Sequence, residues 1–435
     1  MSKGSSKLTQ INAASFMLAT DPEYMGKILG DLLPGRLSTD SKVVDLWIPR
    51  VVPRGKRGFA IQYNMKLTRG QNTGHENLIL YGYMPGFDAE YQSYANNQNA
   101  IIIDEFGLVI PLFPYDPEFP KLADLFSPEY IIPVLAKCVA IGSGRDLELN
   151  EIRVLGYRLG RRCVVAYEIT ADKTRPAKFV AKLSADALKN HPWRKIRWLE
   201  RNGFDPGAAD GLTVPQICHL DDVSGAYFME FVAGESLHDL IGRPEYIPGC
   251  EAAGKMLAKL HNSPTEISGS YSYHDELKNL ESKFLFVGEL FPCWNDRLLD
   301  MFSRLKRRAS NLMMKHAPAV AHRDFYDKQV LYSPSRVTLL DCDGLTTSDP
   351  ALDFGNFLAH LKLRARQDSD NAGALADATL AFGSAYDVHD QEFDNRINWW
   401  TAASLTRLAC LYGLRPRWRH IAPELLNDAA DELDQ

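Results

Sequence analysis

The sequence predicts an α+β protein, with a strand-rich first half and a mostly helical second half, and three observations predict it. A pattern of strand, glycine-containing basic turn, strand and strand occurs twice, roughly 100 residues apart. From Glu251 onward apolar residues recur at three- and four-residue spacing. Within that second half, Ala321–Tyr332 and Val337–Asp343 form a short hairpin studded with acids.

The first copy of the pattern runs over Val51–Tyr63 and Leu78–Tyr81, the second over Leu155–Tyr167 and Phe179–Lys182. Alternating apolar residues around Gly-containing turns give each the signature of a small antiparallel sheet. Between them Pro111, Pro114, Pro117 and Pro120 favour an extended connection, which marks a domain boundary. A helix is expected over 128–139. Further helices are expected over 251–262, 296–315, 351–366, 371–382 and 396–413, where apolar residues fall on one face. The division that follows is 1–127, 128–232 and 233–435.

A chain of 435 residues exceeds one ordinary domain, and 45% apolar with 24% charged residues is a normal globular balance. The net charge of −6 and the lack of a Lys/Arg block exclude nucleic acid or a polybasic membrane patch as expected partners. The start, Met1–Lys7, is polar, and apolar runs are too short to span a bilayer, so a cytoplasmic protein is expected. Seven cysteines without CxxC or Cys/His spacing fit a reducing compartment and argue against structural zinc.

The hairpin carries the chemistry. Asp324 precedes the amide of Gln329 by five residues, and the second strand ends in Asp341 and Asp343. A carboxylate that orients a hydroxyl, followed by an amide oxygen and acids of the kind Mg²⁺ takes alongside phosphate, is the residue set that phosphoryl transfer needs.

In these residues the chain resembles the aminoglycoside phosphotransferase and choline kinase-like superfamily, whose pattern is HxDxxxxN, a hydrophobic strand, then DxD or DxE. Ala252–His261 resembles the helix before the catalytic loop, and Asp349–Phe357 the segment after the metal acid. The sequence departs from the family at Gln329, where Asn is usual. The resemblance implies a two-lobed, protein-kinase-like fold, with β-rich N-lobe and helical C-lobe, preceded here by an additional N-terminal β-rich cap. It implies MgATP as cofactor and a small-molecule hydroxyl as acceptor. Asp324 would face that hydroxyl, His322 would brace the loop, and Gln329, Asp341 and Asp343 would face Mg²⁺. Asp353 would lie buried beneath the loop in a structural role.

For the nucleotide, Lys182 at the end of a buried-looking strand is placed to reach the α- and β-phosphates, with Glu200 as the expected partner on a following helix. In the two-glycine turn Gly156–Arg161, backbone amides near Gly160, helped by Arg161 or Arg162, are suited to covering phosphates. Met229, Glu230, Phe231 and Val232 resemble the linker whose backbone reads adenine. The first copy has Tyr81 or Gly82 where the second has Lys182, so residues 1–127 read as a cap resembling a degenerate N-lobe. Trp399, Trp400 and Trp418 with Asp387, Asp390, Glu392 and Asp394 would suit a sugar or aminocyclitol, although aromatics at helical spacing are usually core. The rival readings are a non-catalytic kinase-fold binding protein, motivated by Gln329, and a protein kinase, suggested by the HRD spelling but not by DCD in place of DFG.

Overall fold

The computed structural model describes residues 13–33, 41–53, 58–69, 75–84, 99–139, 147–172, 174–185, 191–312, 317–387 and 390–435. The tail Met1–Lys7 and the basic turn Arg54–Arg57 lie outside them. The chain divides into two compact units: residues 1–120 with 282–295 and 409–422, and residues 121–281 with 296–408 and 423–435.

In the first unit, helices α1 (Ala13–Ala19) and α2 (Pro22–Leu32) precede strands β1 (Ser41–Pro53), β2 (Phe59–Arg69), β3 (His75–Met84), β4 (Ala100–Ile103) and β5 (Leu108–Pro111). The strands form one antiparallel sheet in the order β1-β2-β3-β5-β4. Pro22 opens α2 and the Asp21 side chain caps it, accepting from the backbone N–H groups of Glu23 and Tyr24. Apolar side chains cover one face of the sheet: the Phe59 ring lies 4.6 Å from Phe16 and 4.3 Å from Phe286, and the Tyr63 hydroxyl donates to Ala19 O at 2.8 Å.

The second unit opens in the same way. Helix α3 (Pro128–Cys138), again with proline in its first turn, leads to β6 (Leu147–Arg158), β7 (Arg162–Ala171) and β8 (Arg175–Ser184). Helix α4 (Trp193–Leu199) and the short β9 (Leu212–Thr213) precede β10 (Ile217–Leu220) and β11 (Tyr227–Glu230). The sheet order is β6-β7-β8-β11-β10, the same as in the first unit. Central β8 is flanked on both edges, and from Phe179 to Ser184 every residue is buried.

The repeated position is informative. Lys182 stands two residues before the end of β8 and pairs with Val164, and Gly82 stands two residues before the end of β3 and pairs with Ile61. A Cβ on Gly82 would lie 2.8 Å from both Leu108 Cδ1 and Tyr63 Cε2. The space a side chain would need there is already filled.

After β12 (Glu235–Ser236) the chain is mainly helical: α5 (Tyr246–His261), α6 (Tyr273–Leu290) and α7 (Asn295–Leu312). Then come β13 (Ala319–Ala321), the hairpin β14 (Val330–Ser333) and β15 (Arg336–Leu339), and β16 (Thr346–Ser348). Helices α8 (Ala351–Gln367), α9 (Ala372–Tyr386), α10 (Gln391–Gly413) and α11 (Ala422–Asp434) complete the chain. Helices α6 and α11 lie outside the segments that periodicity picks out. In α11 the apolar residues stand among many charges, such as Asp434 and Asp428, which bind Arg304 of α7 and Arg366 of α8. Asp349 accepts from Ala351 N at 3.0 Å where α8 begins. Among the described residues no helix is long and apolar enough to cross a membrane.

Candidate active site

The loop between β13 and β14 carries Asp324, and one face of α8 holds it. Asp353, Asn356, His360 and Arg364 follow at spacings of three, four and four residues, which lines them up along a single helical stripe. All four are buried. They meet the loop in order. Asp353 accepts from His322 N at 2.5 Å and Arg323 N at 2.7 Å. Asn356 donates to Phe325 O at 2.9 Å. The His360 ring stacks on Tyr326 with centroids 4.2 Å apart, and Arg364 donates two bonds to Asp327 at 2.7 and 3.1 Å. His322 also donates through Nε2 to Leu340 O at 2.8 Å, tying the loop to the strand that ends at Asp341.

So braced, the backbone tolerates left-handed conformations at Arg323 (φ 69°) and Asp341 (φ 57°), which are costly for side-chain-bearing residues and persist only where surroundings over-determine them. Asp327 shows the strength of the brace. Burial alone would push its carboxyl up, but the Arg364 guanidinium and His238 hold it well below the usual carboxylate range. Asp324 is exposed, yet the protein crowded around it raises its carboxyl above the usual value against the pull of Arg407.

Beside the loop, Lys182 bridges two acids: its Nζ lies 2.6 Å from Asp341 Oδ1 and 2.7 Å from Asp343 Oδ2. Arg162 pairs with the other oxygen of Asp341. Burial would raise the Asp341 carboxyl, yet Lys182 and Arg162 hold it well below the ordinary range. Asp343 also accepts from the buried hydroxyl of Tyr227 at 2.8 Å. Gln329 Nε2 stands 3.5 Å from Asp341 Oδ2. The structure thus brings Lys182, Gln329, Asp341 and Asp343 together.

Other expected site residues are placed differently. Glu200 lies just beyond α4, where its carboxylate accepts from Ile217 N at 2.8 Å and pairs with Arg197 at 3.4 Å. The charge of Lys182 is met by Asp341 and Asp343 instead, so the expected Lys182–Glu200 pair is corrected. From α4 it is Lys195 that reaches the site, donating to Asp343 O at 3.0 Å. In the Gly160 turn, Arg161 is exposed and its N–H closes the turn on Arg158 O at 2.9 Å, while Arg162 faces Asp341. A residue shift along a strand reverses the face, so the inward arginine is the second one. In the span Met229–Val232 the N–H groups of Glu230 and Phe231 already donate to Gln216 O and Lys178 O, and the Glu230 carboxylate binds Arg336.

Two of the aromatic residues expected to wall an acceptor are core. Trp399 and Trp400 are each 1% exposed. They pack against Tyr273, and Trp399 donates to Leu305 O and Trp400 to Asp349. Trp418 belongs to the first unit. Asp387 ends α9 and Asp390 caps α10 through Phe393 N, while Glu392 and Asp394 stand exposed in that helix's first turn, where acids suit the helix dipole.

The stripe Asn356, His360 and Arg364, and the reach of Tyr227 and Arg407, escaped the motif reading. The stripe does have a signal: polar residues at helical spacing inside an otherwise apolar helix.

A five-stranded antiparallel sheet with a buried lysine on its central strand, followed by a helical half with an acid-bearing loop and hairpin, defines a protein-kinase-like phosphotransferase. A model of the phosphotransferase enzyme family matches residues 167–390, more than half of the chain, and the protein belongs to that family. Among solved structures it is similar to a choline/ethanolamine kinase family protein from Mesorhizobium loti, at 15% identity and TM-score 0.46, covering 70% of this chain and 94% of that one. A thermostable mutant of the aminoglycoside phosphotransferase APH(4)-Ia matches at 11% identity and TM-score 0.48, covering 66% and 94%. A putative fructosamine-3-kinase from Thermobifida fusca matches at 18% identity and TM-score 0.44, covering 68% and 98%. A comparison with curated proteins finds no match.

Proposed function

We propose that the protein transfers the γ-phosphate of MgATP to a hydroxyl of a small polyhydroxylated acceptor, a sugar or aminocyclitol. The observation that carries this reading is the pairing of an open carboxylate, Asp324, on a rigid loop with the cluster Lys182–Asp341–Asp343. In the reaction Asp324 orients the acceptor hydroxyl and takes its proton. A bond forms from that oxygen to the γ-phosphorus as the bond to the β–γ bridging oxygen breaks, releasing ADP. Lys182, once its acids are otherwise engaged, supplies a positive charge to the α- and β-phosphates.

Gln329, Asp341 and Asp343 are the residues that would hold Mg²⁺. Their donors are hard oxygens, and a flip of the Gln329 amide would turn its oxygen to an ion shared with Asp341. Among the described residues no three or more His, Cys, Asp or Glu converge as a metal centre. Mg²⁺ held by one or two carboxylates together with phosphate and water does not require that. When bound, the ion neutralises phosphate charge that these acids would otherwise repel. The exposed Arg323 beside Asp324 adds a polar group that suits an acceptor bearing several hydroxyls. Transfer of label from γ-³²P-ATP to a panel of sugars and aminocyclitols, in wild type and Asp324→Asn, tests the reading. Label on an acceptor in the wild type alone supports it, and equal transfer by both proteins removes it.

A further inference from the structure

A chain of side-chain contacts links the residues on either side of Asp324. The residue before it, Arg323, lays its guanidinium over the Tyr271 ring, 4.2 Å from the centroid. The Tyr271 hydroxyl donates to Glu276 Oε2 at 2.6 Å. The other oxygen of Glu276 faces Arg407 Nε at 3.5 Å, and Arg407 Nη2 donates to Asn356 Oδ1 at 2.6 Å. Asn356 then holds the carbonyl of Phe325, the residue after Asp324, at 2.9 Å. Arg407 is the one member of this chain of contacts drawn from α10, and its charge is shared between a nearly buried acid and a neutral amide.

We propose that Arg407 is a positioning residue for phosphoryl transfer, steadying the loop on both sides of Asp324 and fixing a positive charge beside its carboxylate. The proposal rests on the reading of Asp324 as the hydroxyl-orienting group. The charged groups that face Asp324 are Arg407 from α10, His322 from the loop, Asp341 from the turn after β15 and Arg158 from the end of β6. Crowding raises the carboxyl; Arg407 is the strongest of the groups opposing that rise, ahead of His322 and Arg158, while Asp341 adds to it. Removing the Arg407 charge therefore makes Asp324 harder to ionise, and the acid limb of turnover moves to higher pH.

MgATP hydrolysis, with water as acceptor, tests this without an identified acceptor. Arg407→Gln lowers kcat about tenfold or more, because a loosened loop misplaces the carboxylate. The KM for ATP stays unchanged and the acid limb shifts upward. Arg407→Lys, which keeps the charge, returns the acid limb to its wild-type position. Asn356→Ala keeps the arginine but frees Phe325, so kcat falls while the limb stays put; it also carries the test should Arg407→Gln not fold. Wild-type kcat and acid limb in Arg407→Gln, or wild-type kcat in Asn356→Ala, overturns the proposal. Asp324→Asn run alongside separates the two levels: undiminished hydrolysis there brings down the role of Asp324 itself, whereas a dead Asp324→Asn with a normal Arg407→Gln brings down only Arg407.

Discussion

Lys182 and Tyr227 are cross-strand partners on β8 and β11, and both reach the carboxylate of Asp343, at 2.7 and 2.8 Å. Two adjacent strands of the sheet thereby grip an acid delivered by the β14–β15 hairpin. Hydrogen bonds to charged groups exceed neutral ones, so Tyr227→Phe is expected to cost about 1–2 kcal/mol in denaturant unfolding and to raise the KM for ATP severalfold. Unchanged values of both would show that the hydroxyl is idle.

Lys182→Met leaves Asp341 and Asp343 facing each other without their shared cation. The variant is expected to melt below the wild type, to regain part of that loss when Mg²⁺ is added, and to bind ATP weakly. A melting temperature indifferent to Mg²⁺ in this variant would count against the acids as its ligands.

For Asp324→Asn the expected outcome is a fall in transfer of about 10²–10⁴-fold with calorimetric binding of MgATP intact, the amide being unable to take a proton. A parallel loss of nucleotide binding would place the residue in the wrong half of the site.

Asp327 and Arg364 predict an acid-sensitive fold. The Asp327 carboxyl lies below its unfolded value in the folded protein, so its contribution is complete above about pH 3.9 and fades as pH falls further. Asp327→Asn removes the buried carboxylate that Arg364 and His238 share, at about 3–5 kcal/mol near neutrality. The stability gap between wild type and variant should therefore narrow below about pH 4; a gap constant with pH would refute the ion pair's role.

Packing of α5 on α9 depends on a missing side chain. A Cβ on Gly254 would lie 2.4 Å from Phe382 O and 3.0 Å from Ala385 Cβ. Gly254→Ala should cost about 1–3 kcal/mol, whereas Gly373→Ala, with nothing within 4 Å, should be neutral or stabilising by up to about 1 kcal/mol.

Local features of the chain were legible because their physics is local. Strand alternation, helical spacing and the Asp324-to-Asp343 interval each depend on residues close in sequence, and the α+β fold class and family follow from them. Glu200 was misassigned because its position on a helix says nothing about which way the helix turns, and Lys195 occupies the inward face instead. Arg161 and Arg162 read equally well as phosphate-covering residues, because a strand's inward side is set by pairing across the sheet, and only the structure selects Arg162. Trp399 and Trp400 read as well for a binding wall as for a core, and only three-dimensional packing separates the two. Arg407 lies more than 80 residues from Asp324 in sequence, beyond the reach of any motif.

The stripe on α8 has a kinetic consequence. With successive turns of one helix gripping residues 322, 323, 325, 326 and 327, the loop and the helix form a single cooperative unit, and the loop amides should exchange with deuterium as slowly as the helix interior. On the proposed function, any movement that admits nucleotide would then fall to the Gly160 turn and its arginines and not to the loop that carries Asp324.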